Sequence, residues 1–566
     1  MEHFDAVVVG SGFGGSVTAY RLAEAGRSVC LLERGKPYPP GSFPRSPMQM
    51  RSNYWAPSEG RRGLFNLRAF RHVDAIVSAG LGGGSLIYAN VLLRKDERWF
   101  VREDRSGGGW EHWPVTRAEL DPHYDRVEAM LKPQLYPFEE PPYSETPKTI
   151  AFKAAADKLR MDWQLLPLGV TFSNPGESPV TGEPIKEARP NLHARTRHTC
   201  RLCGECDIGC NYGSKNTLDY NYLSEAKRLG ADLRTDADVM AIEPRPGGGY
   251  LVFYVDYKTQ AERVVERRGF LPLTELRCMS ADRLILAAGS LGSTLLLLRN
   301  RSTLPRLSHR IGTRFSGNGD LLTFAMGCSR VADGRRVAQV IDAGFGPVIT
   351  SGVRVADAVD GGEGRGFYMQ DAGFPQFAAW MLQLVATPRA LWQWRGVASR
   401  LIGDRLRRQT RTNLGSAYLG LLGEVELSAG LLPLLSMGRD IPDGRVVLRD
   451  GDLQVLWHKQ HSAEYFDRVR ATARTFANAL GATFVDNPIW FFGRVITVHP
   501  LGGCPMGRDE NEGVVDPNGE VFNYPGLYVA DGAVMPGPVG ANPSLTIAAL
   551  ADRFADRIID GAAKAT

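Results

Sequence analysis

The chain has 566 residues, 23% of them charged and 43% hydrophobic, with a formal net charge of +5 and no extended block of one sign. That length accommodates two or more domains with large cores, and the charge balance argues against nucleic acid as a main partner. No stretch of 18 or more apolar residues is present, so no membrane span is expected. Eight cysteines in a chain of this length do not make a disulfide scaffold.

Phe4 to Val9 reads as a short buried strand. Gly10-Ser11-Gly12-Phe13-Gly14-Gly15 follows, then a helical stretch from Ser16 to Ala25 and a second strand over 28–32 that ends at Glu33. Strand, glycine turn, helix, strand and acid in this order bind a dinucleotide. Gly10 permits the tight turn, Gly12 lets the backbone approach a pyrophosphate, and Gly15 lets helix and strand pack closely. The helix N-terminus faces the phosphates, and Glu33 stands where a carboxylate accepts ribose hydroxyls. Because the strand begins near residue 4, no room is left for a signal peptide, and a cytoplasmic protein is expected.

A second glycine cluster, Gly80-Leu81-Gly82-Gly83-Gly84-Ser85, suits a backbone running flush against a flat or anionic ligand. Residues 100–195 read as an irregular insertion with helices, one of them over 122–131 with Asp121 as its cap and Pro122 in its first turn. Alternating α/β pattern returns at 224–242, with strands over 232–234 and 239–242. A buried strand over 283–290 leads into a helix at 293–298, and a helix is expected over 464–480. Stretches rich in β-formers lie at 337–341, 423–427 and 446–457. The last 70 or so residues regain nucleotide-domain character. Leu527 to Val529 reads as a strand ending near Asp531-Gly532, and Gly540-Ala541-Asn542-Pro543 opens the final helix, with Asn542 suited to cap it. His499 stands on a Gly/Pro-rich turn with room for a ligand beside it.

Two further features carry chemistry. Cys200, Cys203, Cys206 and Cys210 have ferredoxin ligand spacing, with Asn211 where proline usually follows. An iron–sulfur cluster, structural thiols or a disulfide, and zinc are the three readings. Phe374 to Arg411 carries Trp380, Trp392 and Trp394 among Leu and Val together with seven arginines, which suits either a membrane interface or a substrate-domain core with a solvated basic face.

Taken together, GSGFGGS (10–16), GLGGGSLIYAN (80–90), YGSKNTLDYNYL (212–223), LAAGSLGS (286–293), LYVADGA (527–533) and GANPSLTIAALADR (540–553) resemble the glucose–methanol–choline (GMC) oxidoreductases, in particular their cholesterol oxidase-like branch. The resemblance spans nearly the whole chain. It implies an α/β fold: a three-layer Rossmann-type FAD-binding domain with an inserted α+β substrate domain on an antiparallel sheet. The expected boundaries are 1–125, 190–305 and 495–566 for the first, 126–189 and 306–494 for the second. It implies non-covalent FAD and oxidation of an alcohol. Phe13, Gly14 and Glu33 are expected at the pyrophosphate and ribose. Gly84, Ala89, Asn90 and Val91 are expected beside the isoalloxazine, Gly83 and Ser85 also at the cofactor, and Val239 at the adenine. Asp531, Gly532 and Pro543 are expected at the flavin end.

His499 and Asn542 would face the flavin N5 across the substrate, His499 taking the hydroxyl proton and Asn542 orienting the oxygen. The chain departs from the family in having Tyr88-Ala89-Asn90 where Asn-Gly is frequent. The glutamate that cholesterol oxidases use for double-bond isomerisation has no located counterpart; Glu424 and Glu426 are candidates. The expected substrate is a bulky apolar, sterol-like alcohol, with molecular oxygen, an acceptor protein or a quinone taking the electrons. Alternatives are a sugar or polyol dehydrogenase working through an iron–sulfur centre, and a non-catalytic flavoprotein binding module. The module would lack the His or the Asn, and both are present.

Overall fold

The computed structural model describes residues 1–46, 49–50, 52–101, 111–267, 271–374 and 430–563. The Trp/Arg-rich patch beyond Phe374, Glu424, Glu426 and the stretch 423–427 lie outside the described residues.

Two sheets organise the chain. In the first, Asp232–Thr235, Val29–Glu33, Glu2–Val9 and Arg277–Leu286 lie side by side in parallel, and Leu527–Val529 pairs in parallel with the end of Arg277–Leu286. Tyr250–Asp256 and Ala237–Pro244 extend the sheet antiparallel on the Arg277–Leu286 side. Val29–Glu33 is buried at every position, with helix Phe13–Glu24 and strand Ala237–Pro244 both packed near it. The register Leu32↔Val9↔Leu286↔Val529 brings the carboxyl ends of four strands to one edge, where open α/β sheets bind ligands. Helix Phe13–Glu24 packs against Ser544–Ala563, which packs in turn against Arg117–Leu131.

The second sheet is antiparallel: Thr483–Asp486, Leu321–Met326, Leu432–Gly438, Phe367–Asp371, Ser351–Val355 and Trp163–Leu165. Helices Ala463–Ala479 and Pro147–Lys158 cover it, with Phe476 stacked on Phe152. A small sheet of Val495–Thr497, Val73–Ser78 and Phe65–Ala69 stands separately.

Several sequence expectations are corrected. The helix expected from Pro122 starts at Arg117, because Thr116 and Glu119 form a reciprocal capping box; Pro122 therefore falls inside it and Asp121 is not its cap. That helix runs through the domain boundary drawn at 125, and its Leu120, Tyr124, Val127 and Leu131 belong to the same core as the parallel sheet. The strand expected over 283–290 begins at Arg277 and stops at Leu286, and Gly289 already opens a helix to Arg299. The first helix begins at Phe13 rather than Ser16. The 446–457 stretch is a hairpin, Arg445–Arg449 with Asp452–Leu456.

Candidate active site

One cavity of about 1250 Å³ runs along the strand-end edge of the parallel sheet and on to the antiparallel sheet. It exceeds the usual range for a single small ligand, about 300–1,000 Å³. Its walls include Gly10, Gly12, Phe13, Glu33 and Val239 at one end and His499 and Asn542 elsewhere.

The first glycine turn is shaped by contact. Gly10 has φ +99°, and a Cβ there would lie 2.3 Å from the Ala287 carbonyl oxygen. A Cβ on Gly14 would lie 1.5 Å from the Ala530 carbonyl, so this position lets the helix sit directly on the strand Leu527–Val529. Gly14 and Gly15 thus act by close packing rather than as cavity wall. Gly12 has open space before it and lines the cavity at the helix N-terminus.

Glu33 is buried and tightly held. Its Oε2 accepts from the Ser11 N–H (3.1 Å) and hydroxyl (2.6 Å), and its Oε1 accepts from the Gly35 N–H (2.8 Å). Burial pushes its carboxyl up, opposed chiefly by the Ser11 bond. Ser11 Oγ also accepts from the Gly82 N–H at 3.0 Å, which couples the first glycine turn to the second. Gly83, Gly84, Ala89 and Val91 line the cavity. Ser85 has a scaffolding place: its hydroxyl donates to the Gly82 carbonyl and accepts from the Leu218 N–H. Asn90 is fully buried at φ +73°, with its carbonyl accepting from the Gly169 N–H. Val239 sits at a register shift in its strand that re-aims the backbone.

Asp531 and Gly532 also line the cavity. The Asp531 carboxylate accepts from the Gly289 N–H (2.9 Å), the Ser293 hydroxyl (2.5 Å) and the Ala533 N–H (2.8 Å). It therefore ties the last strand to the start of helix Gly289–Arg299, and burial pushes it up to about 6.

The final helix opens onto the cavity with Asn542, Pro543, Ser544 and Ile547. Its first turn carries the bond from the Ile547 N–H to the Pro543 carbonyl, so Pro543 holds the N-cap place and Asn542 precedes it. The cap expected of Asn542 is thereby corrected. The strap before it is pinned from both sides. Lys95 Nζ donates to the carbonyls of Pro538 (2.9 Å) and Val539 (3.1 Å), and Asn318 bonds the Gly540 N–H and Ala541 carbonyl.

Two residues not anticipated from sequence orient the pair. Asp320 Oδ1 lies 2.8 Å from His499 Nδ1, while its Oδ2 accepts from the Thr497 hydroxyl and the Val498 and His499 N–H groups. A carboxylate at Nδ1 fixes the proton there and leaves Nε2 as the acceptor. Gln370, fully buried on strand Phe367–Asp371, donates Nε2–H to Asn542 Oδ1 at 2.8 Å. That leaves the Asn542 Nδ2 donors for another oxygen. No signal in the sequence near Asp320 or Gln370 marks either role.

The cysteine run forms turns beside the cavity, with Asp207 and Ile208 in the wall. All four thiols are free. Among the described residues no three of them come within 4.8 Å of one another, so they do not form the compact tetrahedral set that zinc, with sulfurs about 2.3 Å away, requires. Cys200 and Cys206 pack with Tyr136, Tyr143 and Phe172, and burial pushes both thiols up. Nothing in this placement supports the iron–sulfur expectation. Among the described residues no helix is long and apolar enough to cross a membrane.

Comparison with known proteins agrees with this architecture. Residues 452–551 match the GMC oxidoreductase family profile, and residues 5–136 match that of FAD dependent oxidoreductases. The chain is 30% identical over 573 residues to a cholesterol oxidase of Mycobacterium tuberculosis, covering 98% of this chain and 90% of that one. It is 27% identical to a cholesterol oxidase of Acinetobacter baumannii, covering 97% and 93%. The solved structure of pyridoxine 4-oxidase from Mesorbium loti superposes with a TM-score of 0.57 at 16% identity, covering 98% of both chains. This is an FAD-dependent oxidoreductase acting on CH–OH groups. The chain belongs to the GMC oxidoreductase family, and so takes a small-molecule substrate and delivers electrons to an acceptor.

The cavity fits the cofactor. An open glycine at a helix N-terminus, a second glycine loop locked to the first through Ser11, and a buried acid at the end of the second strand are what a dinucleotide needs. Gly12, Phe13 and Glu33 would hold its diphosphate and ribose, and Gly83, Gly84 and Ala89 its flavin end.

Proposed function

We propose that this chain oxidises a bulky, apolar, sterol-like alcohol to the ketone or aldehyde, with His499 as general base and Asn542 as the group that orients the substrate oxygen. The observation that carries the reading is the pair of fixed orientations: Asp320 holds Nδ1 of His499, and Gln370 holds Oδ1 of Asn542. His499 Nε2 is then an acceptor and Asn542 Nδ2 a donor, both on residues of one cavity wall. A hydroxyl bound between them gives its proton to Nε2, and Nδ2–H steadies the charge that develops on oxygen. Bound FAD supplies the hydride acceptor for the carbinol hydrogen.

The apolar wall supports a lipid-like substrate. Ile87, Val91, Leu321, Leu322, Val348 and Leu435 line the same cavity. Leu67, Tyr54 and Val498 also line it and are exposed, and Phe491 and Phe492 next to the lining residue Trp490 are 76% and 80% exposed. Exposed aromatics beside a cavity suit peripheral contact with a lipid surface.

The test is an anaerobic titration of the oxidised protein with a 3β-hydroxysterol, followed by flavin absorbance. Bleaching supports the reading, and admitting oxygen then separates an oxidase from a dehydrogenase. No bleaching in protein that still binds FAD and is reduced by dithionite rejects that sterol and shifts the weight to other alcohols and sugars.

A further inference from the structure

Three arginines stand on the wall of the cavity near Glu33: Arg34 directly after it, Arg68 on strand Phe65–Ala69, and Arg299 at the end of helix Gly289–Arg299. Guanidinium stays charged in proteins; Arg68 is half-buried and Arg299 exposed, so each can offer its donors to a ligand in the cavity. Arg34 has partners: its Nη atoms reach the Asn66 side-chain oxygen, once that amide is turned, at 3.1 and 3.2 Å, and its guanidinium lies 5.1 Å from the Trp55 ring centre. Among the described residues, Arg68 and Arg299 have no ion pair within 4.0 Å and no hydrogen bond.

The surrounding carboxylates do not neutralise them by contact. Asp238 lies in the same wall and feels all three arginines, but its Oδ2 accepts from the Tyr257 hydroxyl at 3.0 Å. Asp452 acts on Arg68 from the hairpin, and Glu33 is bound to Ser11 and Gly35. Burial and the like charges of Arg34 and Arg299 push Arg68 down to about 10, despite Asp238 and Asp452. Two guanidinium forks facing a cavity without a partner match a phosphate, which accepts several such donors at once.

We propose that Arg34, Arg68 and Arg299 form an anion site for a phosphate or phosphomonoester, distinct from the diphosphate place at the N-terminus of helix Phe13–Glu24. The inference rests on the cavity holding FAD, as the family requires, but not on the identity of the alcohol.

The experiment uses the FAD-loaded protein. Its thermal midpoint is followed while inorganic phosphate replaces chloride at constant ionic strength, and then with an alkyl phosphate. A saturable rise is expected, since a ligand that binds only the folded state stabilises it. In Arg68→Met and Arg299→Met the phosphate dissociation constant should increase roughly 10-fold to 100-fold, the range for losing one charged hydrogen bond. Arg68→Lys should recover part of the effect, and Arg330→Met, on an exposed hairpin remote in sequence, should leave it unchanged. Tighter binding of the alkyl phosphate identifies a phosphate carried on an organic body; equal or tighter binding of inorganic phosphate identifies the free ion. The proposal is overturned if phosphate acts no differently from chloride, or if it acts equally on wild type and Arg68→Met. It is also overturned if the rise occurs only in FAD-stripped protein and disappears on reloading, because the arginines then serve the cofactor's own phosphates.

Discussion

Replacing Asp320 by Asn separates orientation of His499 from its mere presence. The two carboxylate oxygens have unequal tasks. Oδ2 accepts from the Thr497 hydroxyl at 3.0 Å and from the N–H groups of Val498 and His499 at 2.9 and 3.2 Å; Oδ1 meets only His499 Nδ1, at 2.8 Å. An amide has one acceptor oxygen. The two backbone donors cannot turn away, so the oxygen takes the Oδ2 place and the NH₂ faces the imidazole. Nδ1 must then accept, and the ring proton moves to Nε2. The lone pair that would take the substrate proton is gone, while the imidazole stays where it was.

Loss of a general base costs roughly 10²–10⁴ in rate, or about 2.7–5.4 kcal/mol of barrier at about 1.36 kcal/mol per factor of ten. Loss of one charge-assisted hydrogen bond should cost about 1.5–3 kcal/mol of stability. The assay is the anaerobic rate of flavin reduction by excess alcohol, with FAD content and thermal midpoint measured on the same preparation. Asp320→Asn with FAD retained and a reduction rate within about threefold of wild type, far short of the general-base range, would refute the tautomer argument.

Other outcomes follow from the same geometry. His499→Ala should keep FAD and lose roughly 10²–10⁴ in flavin reduction; full turnover in a loaded variant removes His499 as the base. Asp440 is pushed up to about 7 by burial, against bonds from Ser316 and Gly317. A folded carboxyl above its unfolded value binds a proton that the unfolded chain has released, so its contribution to stability declines as pH rises from about 4 to about 7. Asp440→Asn should flatten the fall of the thermal midpoint across that window, and an unaltered slope would contradict the assignment. Phe491→Ser/Phe492→Ser should reduce co-sedimentation with anionic liposomes and leave turnover of a dissolved alcohol unchanged; equal sedimentation of both proteins would remove these residues from any lipid contact.

What could be read in the sequence was local. The turn from Gly10 to Gly15 and Glu33 belong to one strand–helix–strand unit, so their spacing carries the geometry. Asp320 and Gln370 act on partners 179 and 172 residues away, and no periodicity relates such positions. Asn542 allowed two roles, because an Asn before Pro at a helix start is also a good cap; the Ile547–Pro543 bond and the bond from Gln370 tell them apart. Thr116 and Glu119 were visible as a capping box, but Pro122 drew the helix start to itself. The cysteine run shows the reverse failure: ligand-like spacing is a local property, and the apolar packing of Cys200 and Cys206 is a tertiary one.

The division of labour between the sheets has a consequence for how the site works. Glycines 10–15 and Glu33 stand on the parallel sheet, and His499 and Asn542 on segments leading back to it. Their orienting partners come from the antiparallel sheet: Asp320 immediately precedes strand Leu321–Met326, and Gln370 lies within Phe367–Asp371. The side chains that would do the chemistry therefore acquire their tautomer and amide orientation only when the two sheets are docked. On this proposal FAD would be held mainly by the parallel sheet and the glycine loops, so a perturbation of the antiparallel sheet should remove turnover while leaving the cofactor in place. This arrangement also leaves the apolar wall, contributed in part by the antiparallel sheet through Leu321, Leu322 and Leu435, free to change with the substrate, provided that Asp320 and Gln370 keep their hydrogen bonds.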